Sequence, residues 1–274
     1  MIYTKKKTII FFVLLILISL LSIFTFDFLK KKRERKSNEV RITFHEGMNI
    51  HEVGNLLELN GIIKKKDFFE ACDSTLLKEE FDFLKNEPKN KYFALEGYLF
   101  PDTYDFIKGE DPILVVRKFL NNFKLKTKNL NIPQGFTLDQ ILTIASILEA
   151  ESNMKSSKDV ASVICNRLGT IKTNGKNKFG EYGLNFLQLD STIYYPYRSK
   201  EEAPANFKST YNTYEIKGFP PGPICSPGMK FIDDATNPNK TDYFYFCNDK
   251  NGDIYFAKTY AEHVKNLKML GIRN

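Results

Sequence analysis

The chain has 274 residues, of which 42% are hydrophobic and 27% charged, a balance that excludes a largely disordered polypeptide and allows one large domain or two modest ones. The formal net charge of +7 resembles a nucleic-acid signal, but Lys5, Lys6, Lys7 and the run from Lys30 to Lys36 flank a single apolar segment. Without these nine cations and Glu34 the remainder is near neutral, at about −1, so no nucleic-acid partner is expected. Cys72, Cys165, Cys225 and Cys247 are widely separated and form no CxxC or Cys/His cluster, which argues against a metal site; an oxidising location would permit a disulfide without saying which pair forms it.

Thr8 to Phe26 contains 19 residues without a charge, roughly 28 Å as a helix and close to the thickness of a hydrocarbon core. The run is long for a signal peptide and lacks a small-x-small cleavage site, so a single transmembrane anchor is expected. Three lysines precede it and six Lys/Arg follow it; a strict positive-inside count puts the following domain in the cytoplasm. A polar connector follows, and Val40 to Phe44 alternates as a short strand. Asn49 and Glu52 stand at capping-box spacing before Val53, Leu56, Leu57 and Leu59, with Gly61 placed to end that helix, and another helix opens at Lys66 or Asp67.

Pro101 sits in a turn within ALEGYLFPDTYDF, and Asp111-Pro112 starts an amphipathic helix through Phe123. Thr137 and Gln140 form the next capping-box pair. Leu138, Ile141, Leu142, Ile144, Ala145, Ile147 and Leu148 then make that helix apolar on almost every side, the pattern of a buried helix. Ser156 and Asp159 offer a further capping box ahead of VASVICNRL. Thr170 to Gly183, rich in Lys, Asn and Gly, reads as an exposed loop. The Pro- and Gly-dense YNTYEIKGFPPGPICSPG is neither helix nor central strand but a stiff, shaped loop. A hairpin turning near Lys250 to Gly252 and a terminal helix complete an α+β chain.

No phosphate loop, HExxH helix or nucleophile elbow is present, and only His45, His51 and His263 are available for imidazole chemistry. The candidate acids are Glu149, Glu151, Asp190 and Glu96. Glu149 follows the apolar run directly, where a carboxylate is costly to ionise; solvent exposure at the emerging helix end is the competing reading. Two residues apart on a helix, Glu149 and Glu151 point about 200° away from each other and cannot flank one bond. Ala145 and Ser146, small and on the Glu149 face, leave room for a substrate beside it. That arrangement suits a single general acid. Gln188, Asp190, Asn166 and Asn212 are donors and acceptors of the kind that orient sugar hydroxyls, and Tyr194, Tyr211 and Tyr214 offer ring faces.

The ordered blocks LEGYLFPDTY, ASILEAES, VASVICNRL, LQLDSTIYY, YNTYEIKGFPPGPICSPG and YFYF…YAEH closely resemble the YceG-like endolytic murein transglycosylases, from about Val40 to the C terminus. The resemblance implies a cytoplasmic tail at 1–7, the transmembrane helix at 8–26, a linker at 27–39, a LysM-like subdomain at 40–104 and a larger catalytic domain at 105–274. It implies a domain on the outer face of the cytoplasmic membrane, outweighing the charge count. Glu149 maps onto the family's catalytic acid, and Asn166, Gln188, Asp190, Thr192, Tyr211, Asn212 and Pro221 map onto positions expected to line a glycan cleft. Ile254, the length of the segment between Leu168 and Gln188, and Asp233-Asp234 depart from the family pattern. The implied reaction cleaves the β-1,4 bond between N-acetylmuramic acid and N-acetylglucosamine with a 1,6-anhydro product, needs no metal or organic cofactor, and acts beside peptidoglycan synthases to end strand growth. A lysozyme-like hydrolase that recruits Asp190, or a non-catalytic glycan-binding scaffold, are the alternatives.

Overall fold

The computed structural model describes residues 38–85, 88–169 and 186–272, with positions 17, 19, 21–26 and 30. The expected tail at 1–7, much of the apolar segment at 8–26, most of the linker and the segment 170–183 lie outside the described residues. Among the described residues, no helix is long and apolar enough to cross a membrane. The order of elements is β1 (Glu39–Thr43), α1 (Ile50–Leu59), α2 (Lys65–Cys72), α3 (Thr75–Glu80), β2 (Thr103–Ile107), α4 (Pro112–Thr127), α5 (Leu138–Glu151), α6 (Ser157–Leu168), α7 (Met229–Thr236), β3 (Tyr245–Asn248), β4 (Ile254–Ala257) and α8 (Tyr260–Met269). Strands pair as two separate antiparallel ribbons, β1 with β2 and β3 with β4, so the architecture is α+β.

β2 lies in a stretch expected only to turn, and it pairs with β1 from Glu39↔Ile107 to Thr43↔Thr103. It therefore spans residue 104, the expected limit of the smaller subdomain. Phe44, just after β1, meets the rings of Tyr104, Phe106 and Phe119 at centroid separations of 5.9, 6.1 and 4.9 Å. These edge-on contacts fasten the β1–β2 ribbon to α4. A single buried cluster runs from Ile42 to Ala235, so ribbon and helices share one core.

α5 is the centre of that core. Thr137 Oγ1 accepts from the Gln140 N–H (3.2 Å), and Gln140 Oε1 accepts from the Thr137 N–H (2.9 Å), closing the expected capping box. Residues 141–148 are all buried. Its first turn is anchored by an ion pair inside the fold: Lys91 Nζ lies 2.8 Å from Asp139 Oδ1, the two side chains being 1% and 7% exposed. The Tyr98 hydroxyl donates to the same oxygen at 3.1 Å. Asp139 in the first turn also complements the positive end of the helix.

α6 does not start as expected. Ser156 has a helical backbone (φ −107°, ψ 0°) and its side chain caps nothing, because the hydroxyl reaches the free N–H groups only from an extended residue. Asn153 orders the turn just before the helix, its Oδ1 accepting from the N–H groups of Lys155 (3.1 Å) and Ser156 (3.0 Å). The residues of α7 were not expected to be helical either. Phe231, Ile232 and Ala235 are buried where α7 packs on α5. Asp234 is buried as well, accepting from the Ser157 hydroxyl at the start of α6 and pairing with Lys230.

Removing one partner of the buried Lys91–Asp139 pair leaves a desolvated charge. Lys91→Met is expected to lower unfolding free energy by about 3–5 kcal/mol, measured by urea denaturation; a loss below about 1 kcal/mol would mean that the pair is not desolvated in solution.

Candidate active site

The end of α5 divides two surfaces. Glu149, half-buried, faces the Pro- and Gly-rich loop, and its Oε2 accepts from the Gly228 N–H at 2.9 Å. This loop lies flat on α5 because position 146 is small: Ser146 Oγ accepts from the Ile224 N–H (3.0 Å), and its carbonyl accepts from the Cys225 thiol (3.4 Å). The space beside Ser146, expected to admit substrate, is filled by the loop. The turn after β1 completes the wall. Gly47 N–H donates to Ser226 O and Ser226 N–H donates to Met48 O, both at 2.9 Å. Arg198 donates to Gly47 O at 2.6 Å and pairs with Glu52.

Burial is the largest influence on the Glu149 carboxyl and raises its pKa; the nearby Glu46 charge acts in the same direction, while the Gly228 N–H opposes both. Among the described residues its one hydrogen-bond donor is that main-chain N–H, so Glu149 is a carboxyl of raised pKa at a partly open helix end, as a general acid requires.

Glu151 points to the opposite flank. Its Oε1 accepts from the Ser191 N–H (2.9 Å), and its carbonyl from Asn248 Nδ2 (3.0 Å). Here a cavity of about 560 Å³ is lined by Glu151, Arg167, Gln188, Asp190, Tyr214 and Tyr245, together with residues of β3 and α8. The Arg167 guanidinium is fixed in the wall, donating to Phe244 O (2.6 Å) and Leu187 O, with its Cζ 5.5 Å from the centre of the Tyr245 ring. Burial lowers its pKa to about 10, still well above neutrality. His263 stacks on Tyr245 at 5.3 Å, and its Nδ1 has no hydrogen-bond partner among the described residues. Burial and the Arg167 charge lower the His263 pKa, favouring the neutral ring.

The expected site residues separate into two groups. Gln188 and Asp190 are exposed on the cavity wall, Gln188 with φ +51° and Asp190 accepting from the Tyr214 hydroxyl at 2.6 Å. Asn212 accepts from the Tyr214 N–H (3.1 Å), and so holds that tyrosine in place. Pro221 is partly exposed in the shaped loop. Asn166, Thr192 and Tyr211 do not reach the cavity surface. Asn166 Nδ2 donates to the carbonyls of Thr241 and Tyr243, both at 2.9 Å. Thr192 Oγ1 donates to Leu189 O (2.7 Å) and accepts from the Thr213 N–H (3.1 Å). Tyr211 is buried between the rings of Tyr92 and Tyr195, at 5.2 and 4.4 Å. Glu96, the remaining acid, is also interior; burial raises its pKa to about 7, and Oε2 accepts from the Ile50 N–H (3.1 Å) and the Tyr195 hydroxyl (2.9 Å). Sequence reasoning missed Arg167, Tyr245 and His263, which only the packing of α6, β3 and α8 brings together. It also missed Glu46, whose one signal is its place in a Glu-Gly turn directly after a strand.

This fold, with an acid at the end of a buried helix beside a shaped loop, is that of the YceG-like family: the model for the YceG-like family matches residues 24–269, and the chain belongs to it. A protein from Bacillus subtilis named endolytic murein transglycosylase is 34% identical over 82% of this chain and 63% of its own length. A Streptococcus pneumoniae protein of the same name is 27% identical over 90% of this chain and 48% of its own. The chain thus spans less than two thirds of the length of these relatives. A crystal structure of a yceG-like protein from Listeria monocytogenes superposes with a TM-score of 0.65 at 27% identity, covering 82% of this chain and 75% of that one.

A carboxyl with a raised pKa in the folded state binds its proton more tightly there than in the unfolded chain. Its stabilising contribution is present below the ordinary glutamate value and lost as pH rises through the folded value. Glu149→Gln removes this loss, so its melting temperature should gain on wild type between pH 4 and pH 8. A pH-independent difference between the two proteins would contradict the raised value.

Proposed function

We propose that the protein is a peptidoglycan lytic transglycosylase that cleaves within glycan strands at the N-acetylmuramic acid–N-acetylglucosamine β-1,4 bond. The observation that carries this reading is Glu149 itself: a carboxyl of raised pKa at the end of a buried helix, hydrogen-bonded, among the described residues, by one main-chain N–H.

Protonated Glu149 donates to the glycosidic oxygen, and the C1–O bond breaks with oxocarbenium-like charge at the anomeric carbon. The carboxylate that remains accepts the proton of the muramic 6-hydroxyl. Its oxygen attacks C1, closing a 1,6-anhydro ring and returning the proton to Glu149. The sequence consumes no water, unlike glycosidases that hydrolyse with two flanking carboxyls. Asp190, hydrogen-bonded to Tyr214, lines the cavity that Glu151 faces, and this favours a substrate-orienting role for it over that of a hydrolase's second carboxyl. Gln188, Asp190 and the Tyr214 ring would bind sugar in that cavity. Asn212 holds Tyr214 in place and Pro221 belongs to the shaped loop that faces Glu149, while Asn166, Thr192 and Tyr211 hold the supporting loops.

The relatives named endolytic murein transglycosylase support this substrate. Within the same proposal the apolar segment at 8–26 is a single-pass anchor, residues 40–104 are a LysM-like subdomain, and the domain works on the outer face of the cytoplasmic membrane. There it would act beside peptidoglycan synthases and end glycan elongation.

The test is digestion of purified peptidoglycan by wild type and Glu149→Gln, with mass spectrometry of the fragments. Wild type should release anhydro ends, one water lighter than reducing ends, and the variant should lose at least about a hundredfold in rate. Reducing ends from wild type would point to a hydrolase, and no cleavage by either protein to a scaffold.

A further inference from the structure

We propose that Glu46 is a second functional carboxylate of the Glu149 site, acting on the reaction through Glu149. This rests on the lytic reading above and adds a residue to it.

Glu46 stands in the turn after β1, far in sequence from α5, yet its carboxyl occupies the space beside Gly228. A Cβ built on Gly228 would lie 2.1 Å from Glu46 Cδ and Oε1, and 2.5 Å from Oε2. Gly228 is also the residue whose N–H donates to Glu149, at 2.9 Å. Chained through the short span from N to Cβ, these distances hold the two carboxyls within about 8 Å. Gly47 closes the same corner: a Cβ there would meet Glu149 Cγ at 3.4 Å, and its φ of +79° suits glycine. Two glycines thus make the room in which the carboxyls approach, and the paired main-chain hydrogen bonds of Gly47, Met48 and Ser226 hold the turn in place.

The other groups facing Glu149 do not substitute for this charge. The buried Cys225 thiol keeps its proton, its pKa pushed up by burial. Arg198 is occupied by Glu52 and the Gly47 carbonyl, and Glu151 faces the other flank. Glu46 is exposed. A negative charge on Glu46 makes a second one at Glu149 unfavourable, adding to burial in raising the Glu149 pKa.

The experiment is the pH dependence of anhydro-product formation for wild type, Glu46→Gln, Gly228→Ala and Glu149→Gln. Activity that needs a protonated acid falls on the alkaline side as that acid ionises. Removing the Glu46 charge should move this alkaline limb to lower pH, with a loss of rate beyond it. Gly228→Ala suits the backbone at that position (φ −70°, ψ 158°) and expels the Glu46 carboxyl without altering its charge, so it should shift the limb in the same direction. If both limbs coincide with wild type while Glu149→Gln is inactive, the role of Glu46 is overturned and the lytic reading stands. If Glu149→Gln still forms anhydro ends, both fall.

Discussion

The structure depends on the cost of placing a carboxyl where a buried helix runs out. Eight consecutive residues of α5, 141–148, have no water around them, and Glu149 is the first that can reach any. Among the described residues its neighbours offer one main-chain N–H and no cationic partner. A carboxyl so placed keeps its proton longer than one in water. The rest of the site follows from that: the small residue at 146 lets the Pro/Gly loop lie against the helix, and the loop delivers the Gly228 N–H.

The same helix end also separates two tasks. Residues two apart on a helix diverge, so Glu149 meets the Pro/Gly loop while Glu151 is tied to Ser191 and faces the cavity. The cavity wall is rigid where it is charged, because Arg167 is spent on carbonyls of neighbouring segments. Its open face carries Gln188, Asp190 and tyrosine rings, groups that suit a neutral, hydroxyl-rich ligand. Anchoring at the other end of α5 by Lys91, Asp139 and Tyr98 fixes the helix along its axis, and thereby the depth at which Glu149 emerges.

Much of this was legible in the sequence where the information is local. The capping boxes at Asn49 and Thr137, the buried stripe of α5, Pro112 opening α4 and the hairpin near Gly252 depend on residues a few positions apart. The divergence of Glu149 from Glu151 follows from helix geometry alone, whereas the choice of Glu149 as the acid also drew on the family resemblance. What sequence reasoning missed is non-local. β2 is a strand because β1 pairs with it from about 60 residues away. Ser156 has capping chemistry but the wrong backbone, and its side chain caps nothing. Asn166, Thr192 and Tyr211 carry groups that orient sugars, yet tertiary contacts spend them inside the fold. Glu46 is an ordinary surface glutamate until Gly228 is brought beneath it.

The central claim is that the desolvated end of α5 keeps Glu149 protonated above the ordinary carboxylate range. Carbon-13 NMR of protein labelled at glutamate side chains, with the Glu149 signal assigned by its disappearance in Glu149→Gln, measures this directly. The account predicts a titration midpoint clearly above that of an exposed glutamate. A midpoint at or below the exposed value would contradict it.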